Sequence, residues 1–259
     1  MGVVNVTPDS FFDGGVNVAP EDAAAAGRRM MEEGAAIVDV GGESTRPGSE
    51  GISAAEELRR VVPVLEALDD DVPVSIDTAK SEVAWQALAL GVEMVNDVTA
   101  LRGDPRVAEV VADEDAYLCL MHMQGEPRTM QVNPTYGDVV SDVARFLEDR
   151  LAFAVSQGVR EELICLDPGI GFGKTMEQNF ELIRRLDELA TVGRPVLIGF
   201  SRKSSLGRVL GDQEAKTGPL SASLAAAVAA YERGAAIIRA HDVRETVEAL
   251  TVARAVYAA

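Results

Sequence analysis

Two carboxylates and an amide are the first residues with an evident chemical use. Asp77, Asn96 and Asp167 each stand where a short apolar run gives out. An ionised carboxylate only accepts hydrogen bonds, whereas an amide both donates and accepts, so brought together they suit the N–H edge of a heterocycle. Arg46, Arg239 and His241 are of another kind. A guanidinium is a forked donor matched to phosphate, and an imidazole can assist it. A diphosphate would also bring a hard divalent cation held by oxygen ligands and water. Asn5, closing the first apolar run, can supply one amide oxygen.

These residues need elements to carry them. The apolar runs are Gly2–Val6, Ala36–Val40, Val74–Ile76, Met94–Val95, Ala116–Met121, Leu163–Leu166, Val196–Gly199 and Ile237–Arg239. Continuous runs of this length read as parallel strands buried on both faces. Between them the spacing predicts helices over Glu21–Glu33, Ala54–Leu68, Lys80–Leu90, Asp138–Gln157, Met176–Leu189, Pro219–Arg233 and Val243–Val256, with a weaker one near Arg106–Ala112. Gly34, Gly91, Gly158, Gly193 and Gly234 fall where helices should stop. Pro63 implies a kink or a late start in the second helix. Eight strand–helix units in 259 residues make a single (β/α)8 TIM barrel spanning 1–259, with a doubly wound open sheet as the alternative.

In a barrel, function sits where strands end. The eight ends here are Asn5, Asp39, Asp77, Asn96-Asp97, His122, Asp167, Ser201-Arg202-Lys203, and Arg239 with His241. Any one of these polar residues could simply cap its strand. All eight together, including both histidines of the chain, argue for a ligand site. Thr7–Gly15 and Gly41–Gly48 read as active-site loops, although surface turns share their composition. Gly169–Lys174 resembles a phosphate loop but lacks the spacing of one, so ATP binding is rejected.

Composition excludes other classes. A formal net charge of −18 disfavours nucleic acid. No apolar run approaches the ~20 residues that span a bilayer, and no basic region precedes an apolar stretch, so a soluble cytoplasmic protein is expected. Lysine is confined to Lys80, Lys174, Lys203 and Lys216; this acidic, lysine-poor surface fits a high-salt cytoplasm, and equally plain solubility. Cys119 and Cys165 lie in apolar runs without metal-site spacing and read as buried free thiols.

Eight segments, in order along the chain, resemble the dihydropteroate synthase family: Asn5–Phe11, Glu43–Gly48, Ser75–Thr78, Asn96-Asp97, Met121–Gly125, Asp167–Lys174, Ser201–Lys203 and Arg239–His241. The resemblance implies a transferase of folate biosynthesis, condensing 6-hydroxymethyl-7,8-dihydropterin diphosphate with 4-aminobenzoate. It implies that Asp77, Asn96, Asp167 and Lys203 hold the pterin, with Met121 and Phe172 near its ring. It assigns the diphosphate to Asn5, Arg46, Arg239 and His241, and Mg2+ to Asn5. The aminobenzoate falls to Thr45, Pro47, Lys203 and Ser204. In the family the C–O bond to diphosphate breaks largely before the amine attacks. A homodimer is implied too, which would place the small residues of Ser221–Ala230 at its interface. Family members usually carry a short segment ahead of the first strand, whereas Met1 begins almost at it. Two alternatives remain: the pterin-binding barrel of a methyltransferase, which needs neither Ser44–Gly48 nor Ser201–Lys203, and a non-catalytic pterin-binding protein.

Overall fold

The computed structural model describes residues 1–7, 19–46, 48–69 and 71–257. Eight short strands alternate with helices: β1 Gly2–Asn5, β2 Val38–Gly41, β3 Val74–Asp77, β4 Met94–Asp97, β5 Tyr117–Met121, β6 Ile164–Asp167, β7 Leu197–Ile198 and β8 Ile237–Ile238. β1 to β6 form one parallel sheet in sequential order, and β7 pairs with β8. Two parallel bridges complete the ring, Leu166 to Val196 and Gly2 to Ala240. The Leu166 N–H donates to Pro195 O at 2.9 Å and the Ala240 N–H to Met1 O at 3.0 Å. Every strand therefore neighbours its successors and the last meets the first, a closed barrel; an open doubly wound sheet would reverse its strand order partway.

Alternation along each strand makes two cores. Val38, Val40, Ile76, Leu118, Leu120 and Ile164 point outward, fully buried among the helices. Met94, Cys119, Cys165 and Leu197 point inward and, with Ile37 and Ile237, fill the barrel floor. This double burial is why the strands read as continuous apolar runs. Cys119 and Cys165 are register partners on β5 and β6, and both are free thiols.

The helices are α1 Pro20–Glu32, α2 Ala54–Ala67, α3 Ser81–Ala89, α4 Val107–Asp113, α5 Val139–Ser156, α6 Met176–Arg184, α7 Leu186–Ala190, α8 Ser204–Val209, α9 Leu220–Glu232 and α10 Val243–Tyr257. All five predicted stop glycines have φ between 86° and 99°. At Gly34 the paired closing bonds are explicit: its N–H reaches Met31 O, and the Ala35 N–H reaches Met30 O, both 2.9 Å.

Three expectations need correction and a fourth is narrowed. The predicted Met176–Leu189 helix breaks at Arg185, whose φ of −113° and ψ of 31° leave the helix; the bend buries Leu186 and Leu189. α2 starts at Ala54, capped by Ser53 Oγ, and runs through Pro63, so the late start is excluded. α8 had no periodic signal because six residues are too few to show one. In α9 the small residues Ser223, Ala226, Ala227 and Ala230 are buried within the chain itself, which narrows the small-residue surface of Ser221–Ala230 to the exposed Ser221 and Ala225 and the half-buried Ala222 and Ala229. No helix of the described residues is long and apolar enough to cross a membrane.

Candidate functional site

The strand register sets the floor of the site. Asn5, Gly41, Asp77 and Asn96 are successive partners across β1 to β4, forming one row at the strand ends. Gly41 leaves the row open, since a Cβ there would press within 3.3 Å of Asp77 Cβ. Asp39 corrects the sequence reading: β2 continues two residues past it, so it lies one layer deeper and fully buried. Its Oδ2 accepts Asn96 Nδ2 at 3.0 Å and Arg239 Nε at 2.7 Å, while Arg239 Nη2 donates to Asp77 Oδ2 at 3.1 Å. Asp39 Oδ1 and Ser75 Oγ, on partnered residues of β2 and β3, have no partner of their own among the described residues.

This network assigns polarity. An Asn96 amide turned the other way would set its oxygen against a carboxylate oxygen, so Nδ2 faces Asp39 and Oδ1 is left as an acceptor. Burial and the nearby Asp39 carboxylate push the Asp77 pKa up, against the pull of Arg239. Burial opposes the charge on Arg239, but Asp39 and Asp77 more than offset it.

On the opposite side, Asp167 closes β6 and accepts the Gly169 N–H at Oδ1, 2.7 Å. A Cβ on Gly169, at φ 69°, would lie 1.9 Å from His122 O, so the backbone here tolerates only glycine. Burial raises the Asp167 pKa, opposed by that N–H and by Lys203. Lys203 Nζ stands 4.3 Å from the Phe172 ring centroid, and burial together with Arg239 lowers its pKa to about 8. Phe172 packs with Met121, Met123, Met130 and Val98 as an apolar wall beside these polar groups. An apolar wall beside acceptors and one ammonium suits a planar heterocycle.

His122 does not join the site. Met121 points inward, so the next side chain faces the helices, and the His122 ring meets Phe146 edge-on at 4.7 Å. Its Nδ1 lies 2.8 Å from Lys174 Nζ, which also donates to Gly169 O at 2.9 Å and Phe172 O at 3.0 Å. Burial and Lys174 lower the His122 pKa to about 2, so it is a neutral acceptor. Lys174 is thus the buried post around which Gly169–Gly173 is wound, with its own pKa lowered to about 7 by burial. That agrees with rejecting a phosphate loop.

The remaining cations gather at β8 and the β2–α2 loop. The His241 N–H donates to Ser201 Oγ at 3.2 Å, and the hydroxyl in turn faces His241 Nδ1 at 3.0 Å. With the hydroxyl donating to Nδ1 the ring proton sits on Nε2, and burial with Arg239 holds the imidazole pKa down at about 3. Arg202 is held by Asp242, with Nε to Oδ2 at 3.0 Å. Arg46 is exposed and its guanidinium has no partner among the described residues. Asn5, half-buried, makes no side-chain hydrogen bond among them either. Ser204 opens α8, directly after Lys203. Pro47, together with Phe11 and Phe12 of the first loop, lies outside the described residues. A cleft of about 870 Å3 runs from Asp77 and Thr45 past Lys80 and Thr99 to Arg128. Sequence reasoning assigned no role to Lys80, Lys174 or Met130; each acts through a contact distant in sequence.

The fit of a divalent cation can be judged from the donor set. Among the described residues no three His, Cys, Asp or Glu side chains gather to hold one. A single free amide oxygen at Asn5 suits an ion that arrives on its diphosphate and keeps most of its water, as Mg2+ does.

Comparison with known proteins bears on the whole chain. The family described as pterin binding enzyme matches residues 1–241. The dihydropteroate synthase of Escherichia coli strain K12 is 46% identical over 264 aligned residues, covering 100% of this chain and 92% of the relative. The fold superposes on Yersinia pestis dihydropteroate synthase in a sulfonamide drug complex with a TM-score of 0.92, at 42% identity, covering 100% of this chain and 94% of that one. It superposes likewise on the Xanthomonas albilineans dihydropteroate synthase with 4-aminobenzoic acid, with a TM-score of 0.90, 46% identity, and coverage of 100% and 92%. Identity at this level over the full length shows that the chain belongs to the pterin-binding enzymes and, within them, to the dihydropteroate synthase family.

Proposed function

We propose that the chain condenses 6-hydroxymethyl-7,8-dihydropterin diphosphate with 4-aminobenzoate, releasing diphosphate and forming 7,8-dihydropteroate. The observation that carries the reading is the acceptor set Asp77, Asn96 Oδ1 and Asp167 facing Lys203 beside the Phe172–Met121 wall. A pterin offers a flat ring with adjacent N–H donors and a carbonyl, the complement of that set.

The pterin is held with its methylene toward Arg239 and His241. The C–O bond to diphosphate breaks first, and the pair of electrons leaves with the diphosphate. The resulting cation is stabilised by the Asp77 and Asp167 carboxylates, preorganised in a water-poor pocket. Arg46, the Nε2–H of His241 and the spare donors of Arg239 take the charge of the leaving group. Arg239 uses two of its five N–H groups on Asp39 and Asp77, which leaves the others for phosphate oxygens. Asn5 would help to hold Mg2+, whose chemistry is to neutralise the departing diphosphate. The aminobenzoate nitrogen, placed by Thr45, Pro47, Lys203 and Ser204, then forms the C–N bond and loses a proton. A neutral aromatic amine is nucleophile enough, so no strong base is required.

The reading includes a cytoplasmic protein and a homodimer, with no nucleic-acid or membrane partner; the charge of −18 supports the former exclusion. Diphosphate release on mixing both substrates, and with neither alone, is the test. Binding of both without release would mean a non-catalytic pterin-binding protein.

A further inference from the structure

Lys80 stands three residues beyond Asp77, at the N-cap of α3, with its N–H on Thr78 Oγ1 at 3.3 Å. Its Nζ reaches back to two other elements, donating to Glu57 Oε2 of α2 at 2.5 Å and to Glu43 Oε2 at the root of the β2–α2 loop. Glu57 is fully buried, and its other oxygen has no partner among the described residues. The second oxygen of Glu43 accepts the Ile52 N–H at 3.1 Å, so one glutamate closes the base of the whole loop. Gly42, just before it, is pressed against α2: a Cβ there would fall 2.8 Å from Val61 and 3.1 Å from Glu57 Cγ. Beyond this root, the Ser44, Thr45 and Arg46 side chains make no hydrogen bond among the described residues. What orients them acts from the base.

We propose that Lys80 is a positioning residue, clamping Glu43 to Glu57 so that the β2–α2 loop presents Thr45 and Arg46 to the aminobenzoate and the diphosphate. The proposal rests on the reaction assigned above. It also ties two ligand groups to one hub, because Lys80 shares the β3–α3 turn with the pterin carboxylate Asp77. A lysine that merely satisfied a buried glutamate would need no contact with Glu43.

Three variants separate these roles. Lys80→Met alone should lower the thermal midpoint, because Glu57 is left as an uncompensated buried charge. Lys80→Met with Glu57→Gln removes that charge and should recover the midpoint, yet leave the KM for 4-aminobenzoate raised about tenfold, the scale of one lost positioning hydrogen bond. Glu43→Ala, which keeps the Lys80–Glu57 pair, should show the same rise in KM at an unchanged midpoint. In all three the dissociation constant of bare pterin, read by calorimetry, should stay within about twofold of the parent. Parent-like KM in both the double variant and Glu43→Ala would overturn the clamp. If the parent itself released no diphosphate, the assigned reaction would fail instead. Calorimetry with 4-aminobenzoate and with the pterin diphosphate would then decide the clamp: weaker binding in the two variants supports it, parent affinity overturns it.

Discussion

Asp167→Asn should separate binding from stability, because one oxygen of Asp167 is already engaged. Oδ1 accepts the Gly169 N–H at 2.7 Å, in a turn packed so closely on His122 O that a Cβ on the glycine would lie 1.9 Å from it. An asparagine of the same shape must offer its oxygen to that N–H, which turns its NH2 toward the ligand. The pterin edge then meets donors where it had an acceptor. Rotating the amide only moves the donor–donor conflict onto Gly169. The loss is one charge-assisted hydrogen bond, about 1.5–3 kcal/mol, and one buried ligand N–H left unmet, about 1–3 kcal/mol. Together these weaken bare pterin binding about 10²- to 10⁴-fold. Stability should move the other way. Burial raises the Asp167 pKa above its unfolded value, so the carboxylate opposes folding increasingly as pH rises past the unfolded value, and a neutral amide removes the opposition. The thermal midpoint at neutral pH should therefore equal or exceed the parent's. Isothermal titration with bare pterin and scanning calorimetry on the same samples provide the assay. His241→Ala is the control: it should spare bare pterin and weaken only the diphosphate ester, since His241 faces Ser201 and the cations rather than the acceptor row. Binding of bare pterin by Asp167→Asn within about threefold of the parent would refute the polarity argument, as would loss of the same ligand in both variants.

Asn5→Ala should cut turnover severely with no change in thermal midpoint, because its amide has no partner among the described residues; equal activity of variant and parent across a Mg2+ titration would sink its role. Sulfamethoxazole should raise the apparent KM for 4-aminobenzoate without lowering the maximum rate, since Ser44–Gly48 carries no element that repels a sulfonyl group; an unchanged KM at high inhibitor would mean that the pocket discriminates against it. Light scattering at micromolar concentration should give a dimer, with the exposed Val252, Val256 and Tyr257 of α10 and Leu220 at the start of α9 as apolar material for the contact; a monomer would remove that part of the reading.

Much of the barrel was legible because both faces of each strand are buried and every strand end is polar. The runs matched the strands to within a residue or two, and even the weak α4 signal corresponds to a real helix of seven residues. What failed did so for local reasons. Six residues of α8 carry no period, and the break at Arg185 depends on where Leu186 and Leu189 find room. The site divides in the same way. Residue types announced which side chains end strands, and Asp77, Asn96, Asp167, Lys203 and Arg239 do line one end of the barrel.

Pairing was not legible, and pairing decides the chemistry. Arg239 looked like a free phosphate donor, yet it lies against Asp39, 200 residues away in sequence, and that contact exists only because β8 closes onto β1. His122 and Asp167 are both polar ends of neighbouring strands, but Asp167 lies level with Met121, so its side chain turns inward while that of His122 turns toward the helices. A strict count of inward and outward positions from the floor residues Met94, Cys119 and Cys165 would have separated them, because side chains alternate faces along a strand. The same count puts Asp39 one layer beneath Asp77, where it can direct Asn96 and Arg239 but is set below the row at the strand ends. The polarity of the proposed pterin site is therefore set one layer below its lining residues, and Asp39→Asn should weaken bare pterin binding through Asn96; parent affinity by calorimetry would refute this.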